Sequence, residues 1–249
     1  MLFRSVVISS WGLIARRFLK WSTSQDKDGA AVWTYKARFQ AAWGIFYFAF
    51  SLTLVCFYLM KSLQHQFFST VYGVYYFAGS VWTTLATMYL ASMLLSRKGG
   101  PLEKVVSRRQ QQDLGVWFFA FTVFYAYIHF SQYFLIWNAA IPEETFWYVR
   151  REAGSWKWVG MLILFGHFFV PFVLLLNQDI KLKLEVMFPM VAWAWLMHFV
   201  DMTFNVMPTI YPQGVNVSIL DPLCWIGMAG LLDRKSTRLN SSHGYISYA

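Results

Sequence analysis

GVWFFAFTVFYAYIHFSQYFLIWNA (115–139) is 25 residues long and contains no Asp, Glu, Lys or Arg. About 20 predominantly apolar residues suffice for a helix to cross some 30 Å of hydrocarbon. The run therefore predicts a membrane span, and its neighbourhood repeats the pattern. Four further apolar runs of that size lie at 41–60, 70–95, 156–176 and 186–207. A sixth, 217–232, is marginal in length, carries Asp221 and Pro222, and reads as truncated. Residues 5–15, SVVISSWGLIA, with Arg16, Arg17 and Lys20 behind them, read as an incomplete span or an interfacial helix. The expected fold is all-α: a polytopic transmembrane helical bundle of five full spans, a truncated sixth, and an N-terminal partial or interfacial helix.

Composition agrees. Of 249 residues, 57% are hydrophobic, 20% aromatic and 13% charged, against about 25% charged in soluble domains. Mean hydropathy is +0.41. A soluble enzyme, a disordered tail and a secreted disulfide scaffold are excluded. Cys56 and Cys224 both lie in apolar runs and read as small buried hydrophobes. No zinc spacing, nucleophile motif or nucleotide loop is present.

The net charge of +9 is explained by topology, with no need for nucleic acid. Fourteen basic residues fall before the first span or in the loops after the second and fourth, including Arg97, Lys98, Arg108, Arg109 and Lys181. Four fall on the other side: Lys61, Arg150, Arg151 and Lys157. The positive-inside rule puts the basic loops in the cytoplasm. Three segments follow: a basic cytoplasmic or interfacial stretch (1–40), the bundle (41–232), and a polar tail (233–249). The tail, RKSTRLNSSHGYISYA from Arg234 on, resembles translated adapter sequence. It is read as non-native and set aside with His243, and the chain is read as a fragment of a longer subunit.

Ionisable side chains at membrane depth are costly, so each is a candidate for function. The third span holds His129, Ser131 and Gln132, with Tyr125, His129 and Gln132 on one helical face. His167 sits in the fourth span, four residues before Pro171; His198 and Asp201 share a face of the fifth. The three histidines fit inter-helix hydrogen bonding, a proton relay, quinone contact, or bis-His haem ligation. For Asp201 a structural bond to His198 and a proton-carrying role stand side by side. The loop IPEETFWYVRRE (141–152) starts a helix at Pro142, with Glu143 and Glu144 in its first turn. It reads as an interfacial helix with surface ion pairs, or as a docking surface or site mouth that includes Glu144.

The segments FSQYFLIWNAAIPEET (130–145), HFFVPF (167–172), HFVDMTFNVMP (198–208) and FSTVYGVYYFAG (68–79) together resemble the F subunit of alternative complex III. This is an NrfD-like membrane subunit of bacterial quinol:electron-acceptor oxidoreductases. The resemblance covers roughly 40–232 and corresponds to the C-terminal half of a family member. It implies a subunit of the bacterial inner membrane that supports quinol oxidation, with a proton-conducting role for His129, Ser131, Gln132, Glu144, His167, His198 and Asp201. It also implies no cofactor in this subunit beyond a quinone or quinol. Haem and iron–sulfur clusters would reside on partners: a multihaem cytochrome, an iron–sulfur subunit and a related NrfD-like subunit. The chain departs from the family pattern at Tyr58, where an acid is common, at Gln66, where histidine is usual, and at Asn177 and Gln178. Competing readings are a di-haem cytochrome b-type carrier and a secondary transporter.

Overall fold

The computed structural model describes residues 2–64, 66–67, 69–216 and the isolated positions 219, 223 and 227. The expected sixth span, Cys224 and the tail with His243 lie outside the described residues. Among the described residues every regular element is helical, which establishes the all-α bundle. Five helical stretches are long and apolar enough to cross a membrane: Ala31–Leu63, Tyr72–Leu95, Arg108–Ala139, Trp156–Leu176 and Leu184–Ile210.

The elements are α1 (Leu2–Asp28), α2 (Ala31–Leu59), α3 (Tyr72–Leu95), α4 (Arg108–Ala139) and α5 (Pro142–Glu152). They continue as α6 (Trp156–Leu162), a π-helical segment (Ile163–Phe169), α7 (Val170–Leu176), the short α8 (Gln178–Lys181) and α9 (Leu184–Ile210). Spans alternate in direction. The connections 29–30, 96–107 and 177–183 therefore share one end, called here the basic end, and 60–71, 140–155 and 211–216 share the other, the α5 end.

The first span starts earlier than its apolar run, because the helix of 41–60 continues back to Ala31 through polar Thr34, Lys36 and Arg38. The N-terminal segment is one 27-residue helix that folds back along α2 at Gly29. Gln25 Nε2 donates to Thr34 Oγ1 at 2.7 Å near the turn, and Trp11 Nε1 donates to Ser51 Oγ at 2.9 Å farther along. Its apolar first half thus lies at the depth of the middle of α2.

Local chemistry fixes the helix ends that position the site. Ser107 and Gln110 form a reciprocal capping box at the start of α4: Gln110 N–H donates to Ser107 Oγ and Ser107 N–H to Gln110 Oε1. α4 stops at Ala140, whose φ of 51° is left-handed, and Pro142 starts α5 as its first helical residue, as expected. The third, fourth and fifth expected spans fall within α4, α6–α7 and α9. Gly73 and Gly79 serve close packing: a Cβ on Gly73 would overlap the Thr53 side chain, and one on Gly79 would lie 2.9 Å from His198 Cε1.

The fourth span is not a continuous α-helix. Pro171 cannot donate to the His167 carbonyl and would crowd it in α register. The chain widens there into a π turn, with Val170 N–H bonding Phe165 C=O five residues back. Trp193 Nε1 on α9 donates to the Gly166 carbonyl at 2.8 Å, which ties the segment to its neighbour and aims His167 inward.

Candidate functional site

α3, α4, the π segment and α9 bring one polar cluster together in the middle of the bundle. Asp201 is fully buried on α9, and Tyr75 of α3 donates to its Oδ1. The Tyr75 hydroxyl also accepts from Asn205 Nδ2 at 2.9 Å and lies 3.2 Å from the Tyr125 hydroxyl. Asn205 Nδ2 further bonds the Asp201 carbonyl at 2.8 Å. The second carboxylate oxygen, Asp201 Oδ2, has no hydrogen-bond partner.

His167, fully buried, lies beside this carboxylate with both ring nitrogens unpartnered. Its faces are filled: Tyr125 stacks on it at 3.9 Å and Trp82 at 4.1 Å between ring centroids. His198 Nδ1 is also unpartnered, and the His167 and His198 rings are 6.4 Å apart. The expected His198–Asp201 bond does not form; Tyr75, 126 positions away in sequence, takes that place. Buried polar atoms without partners are rare in folded proteins, and four of them converge here.

One ligand atom from each of His167, His198 and Asp201 lies within 4.8 Å of the others. Ligands of a tetrahedral zinc sit about 3.4 Å apart, given bonds near 2.0–2.1 Å, so the trio would close on an ion with modest movement.

Towards the α5 end the cluster opens on a cavity of about 20 Å³ lined by Tyr75, His129, Gln132, Tyr148 and Asn205, with Trp147 and Phe204 rings. That volume holds one water, and the polar lining supplies its partners. Gln132 forms the wall between this cavity and a larger groove of about 550 Å³. Phe57, Lys61, Ser69, Thr70, Ile136 and Glu144 line the groove. His129, Gln132, His167, His198 and Asp201 are thus brought together, and Glu144 stands at the groove on the far side of Gln132. Ser131 lines neither space. Tyr58 is 53% exposed on the outside of α2.

No protein-family model matches the chain. A search of curated proteins also returned no match. The chemistry of the cluster rests on its own geometry.

Arg151 belongs to the site's frame and not to the surface ion pairs expected of its loop. It is 2% exposed. Its Nε donates to Phe204 C=O at 3.1 Å, one terminal nitrogen to Asn205 C=O at 2.9 Å and the other to Trp147 C=O at 3.0 Å. Pro208 explains the demand: lacking an N–H, it leaves the Phe204 carbonyl without its helical donor. The guanidinium also lies 3.1 Å from the Trp147 ring centroid. Burial pulls it down to about 9, which leaves it charged at neutral pH. The same burial pushes the Tyr148 hydroxyl up, with Arg151 opposing. Glu152, its neighbour, accepts from the Tyr133 hydroxyl at 3.2 Å.

Sequence reasoning found the histidines and Asp201 but not Tyr75, Asn205 or Arg151. The one signal in the sequence for Arg151 was Pro208, four residues beyond an acceptor that needed a donor.

Proposed function

We propose that this chain is a membrane subunit of a quinol-oxidising respiratory complex of the alternative complex III type, and that its interior carries protons. Asp201 is the observation that supports this: a fully buried carboxylate with one oxygen held by Tyr75 and the other without a partner. Such a group at membrane depth is expensive unless it works. Glu144 at the groove, water in the cavity behind Gln132, Tyr75 and Asp201 make up the proposed proton route, with Gln132 and His129 lining the cavity. His167 and His198 stand beyond Asp201 as further acceptors. Electron transfer is assigned to haem and iron–sulfur partners in a bacterial inner membrane, with the basic end facing the cytoplasm.

The transporter reading has less support. Broken transporter helices expose half-helix ends at a central site, whereas residues 163–169 remain helical and the Gly166 carbonyl is already bonded by Trp193.

The test is affinity purification of the full-length protein from its native membrane. Co-purification with multihaem and iron–sulfur subunits that oxidise quinol supports the assignment. A chain that purifies without them, or a complex whose turnover and proton uptake survive Asp201→Asn, refutes it.

A further inference from the structure

The 550 Å³ groove at the α5 end has features that proton passage does not require. Its size falls in the range of ligand pockets, about 300–1,000 Å³, many times the room a water chain needs. Its walls are apolar, from Phe57 on α2, Val71 just before α3, and Leu135, Ile136 and Ala139 on α4. Leu135 is 56% exposed, so the wall continues onto the outer surface of the bundle. Opposite charges share the lining: Lys61 follows α2, and Glu144 lies in the first turn of α5, within electrostatic reach of it. The hydroxyl residues Ser69 and Thr70 stand between, just ahead of the first turn of α3. At the same level of α2 and α4, Tyr58 and Trp137 are surface-exposed, as aromatic residues are where a bilayer meets water.

We propose that this groove binds a zwitterionic phospholipid with a primary ammonium head, of the phosphatidylethanolamine class. The phosphate faces Lys61, the Ser69 and Thr70 hydroxyls and the positive end of the 24-residue α3. The ammonium donates to Glu144. An acyl chain lies along Val71, Leu135 and Ile136 and leaves the groove over Leu135. Lys61 already lies 5.0 Å over the Phe57 ring, a position that holds its ammonium at the groove wall. An anionic lipid would meet Lys61 but set a second negative charge beside Glu144. A neutral quinol would bring no charge to either. A choline head would place methyl groups where Glu144 needs a hydrogen-bond donor.

The inference is independent of the respiratory assignment, because it concerns only the chain's own groove. It is tested on the full-length chain, delipidated and returned to nanodiscs of phosphatidylcholine carrying equal small fractions of phosphatidylethanolamine and phosphatidylglycerol, with retained lipid counted by native mass spectrometry. About one phosphatidylethanolamine per chain is expected. Glu144→Gln should lower its retention roughly fivefold to tenfold and remove its advantage over phosphatidylglycerol. Lys61→Gln should lower retention of both. The double variant Lys61→Glu, Glu144→Lys, which keeps both charges, separates loss of binding from loss of folding: it should restore part of the preference. Equal retention of all three lipids, retention unchanged in both single variants, or displacement of the bound lipid by ubiquinone at equal mole fraction would overturn the proposal.

Discussion

The two halves of the bundle are built from the same helices and do opposite things. Towards the α5 end, the interior is crowded with Tyr72, Tyr75, Tyr76 and Tyr125, together with Trp147 and Tyr148, and the polar atoms of Asp201, Asn205, Gln132 and Arg151 are threaded among them. Towards the basic end, the same α3, α4 and α9 present Ala86, Met93, Phe118, Met187 and Val191, joined by Leu175 of α7. Trp82 and Thr122 mark the boundary, joined at 2.8 Å, directly beneath His167. One half has a cavity with room for one water; the other is filled by apolar side chains. Lys181 finishes the dry half, its stem against Gly115 and its ammonium 5.1 Å from the Phe119 ring.

The largest effect should come from breaking the boundary. Trp82→Ala removes a fully buried ring that fills the space between the halves and covers one face of His167. About 3–5 kcal/mol of stability should be lost, a fall of roughly 10 °C in Tm in detergent. Proteoliposomes should also begin to leak protons, and a variant that melts early without leaking would deny that Trp82 is the seal.

Next is Arg151→Met, which strips three carbonyls of a side-chain donor in the polar half and leaves that of Phe204 without any. About 3 kcal/mol should be lost, read as a lower Tm, and Arg151→Lys should recover only part, because lysine lacks the planar fork that reaches several acceptors. Full recovery by lysine would mean that charge alone matters there.

Gly79→Ala drives a methyl against His198 and should cost about 1–3 kcal/mol. The His198 ring resonances should shift by NMR while Trp82 fluorescence stays constant. The smallest effect is expected of Tyr76→Phe, which loses one 3.2 Å hydroxyl contact to Tyr72. Even contacts between helices in membranes contribute only about 0.6 kcal/mol, and this one lies within α3, so the melting curve should barely move. A large loss would show that the tyrosines of the polar half act as one network.

The five long apolar helices were legible because they depend on properties summed over 20 residues: apolar length and missing charge. Short local chemistry was legible too, as at Pro142, where proline and two acids start α5. The shared face of Tyr125, His129 and Gln132 followed from helical spacing alone, and all three converge on the cluster or its cavity. What the sequence could not supply was pairing across the bundle. Asp201 has His198 three residues away, yet its donor is Tyr75 on another helix. Arg151 sits in a loop of charges and aromatics like a surface residue; only packing shows that α9 needs it. The π turn at His167 combines Pro171 in its own run with a bond from Trp193 on another helix to the Gly166 carbonyl, which neither run contains alone.

The most direct measurement of the central claim is proton uptake by liposomes holding the assembled complex, with Asp201→Asn compared against the unaltered protein. Asparagine keeps the shape and can still accept from Tyr75, so assembly and quinol binding should persist while proton uptake falls by about tenfold or more. Uptake that persists at the original rate in an intact Asp201→Asn complex would contradict a proton-carrying role for the cluster.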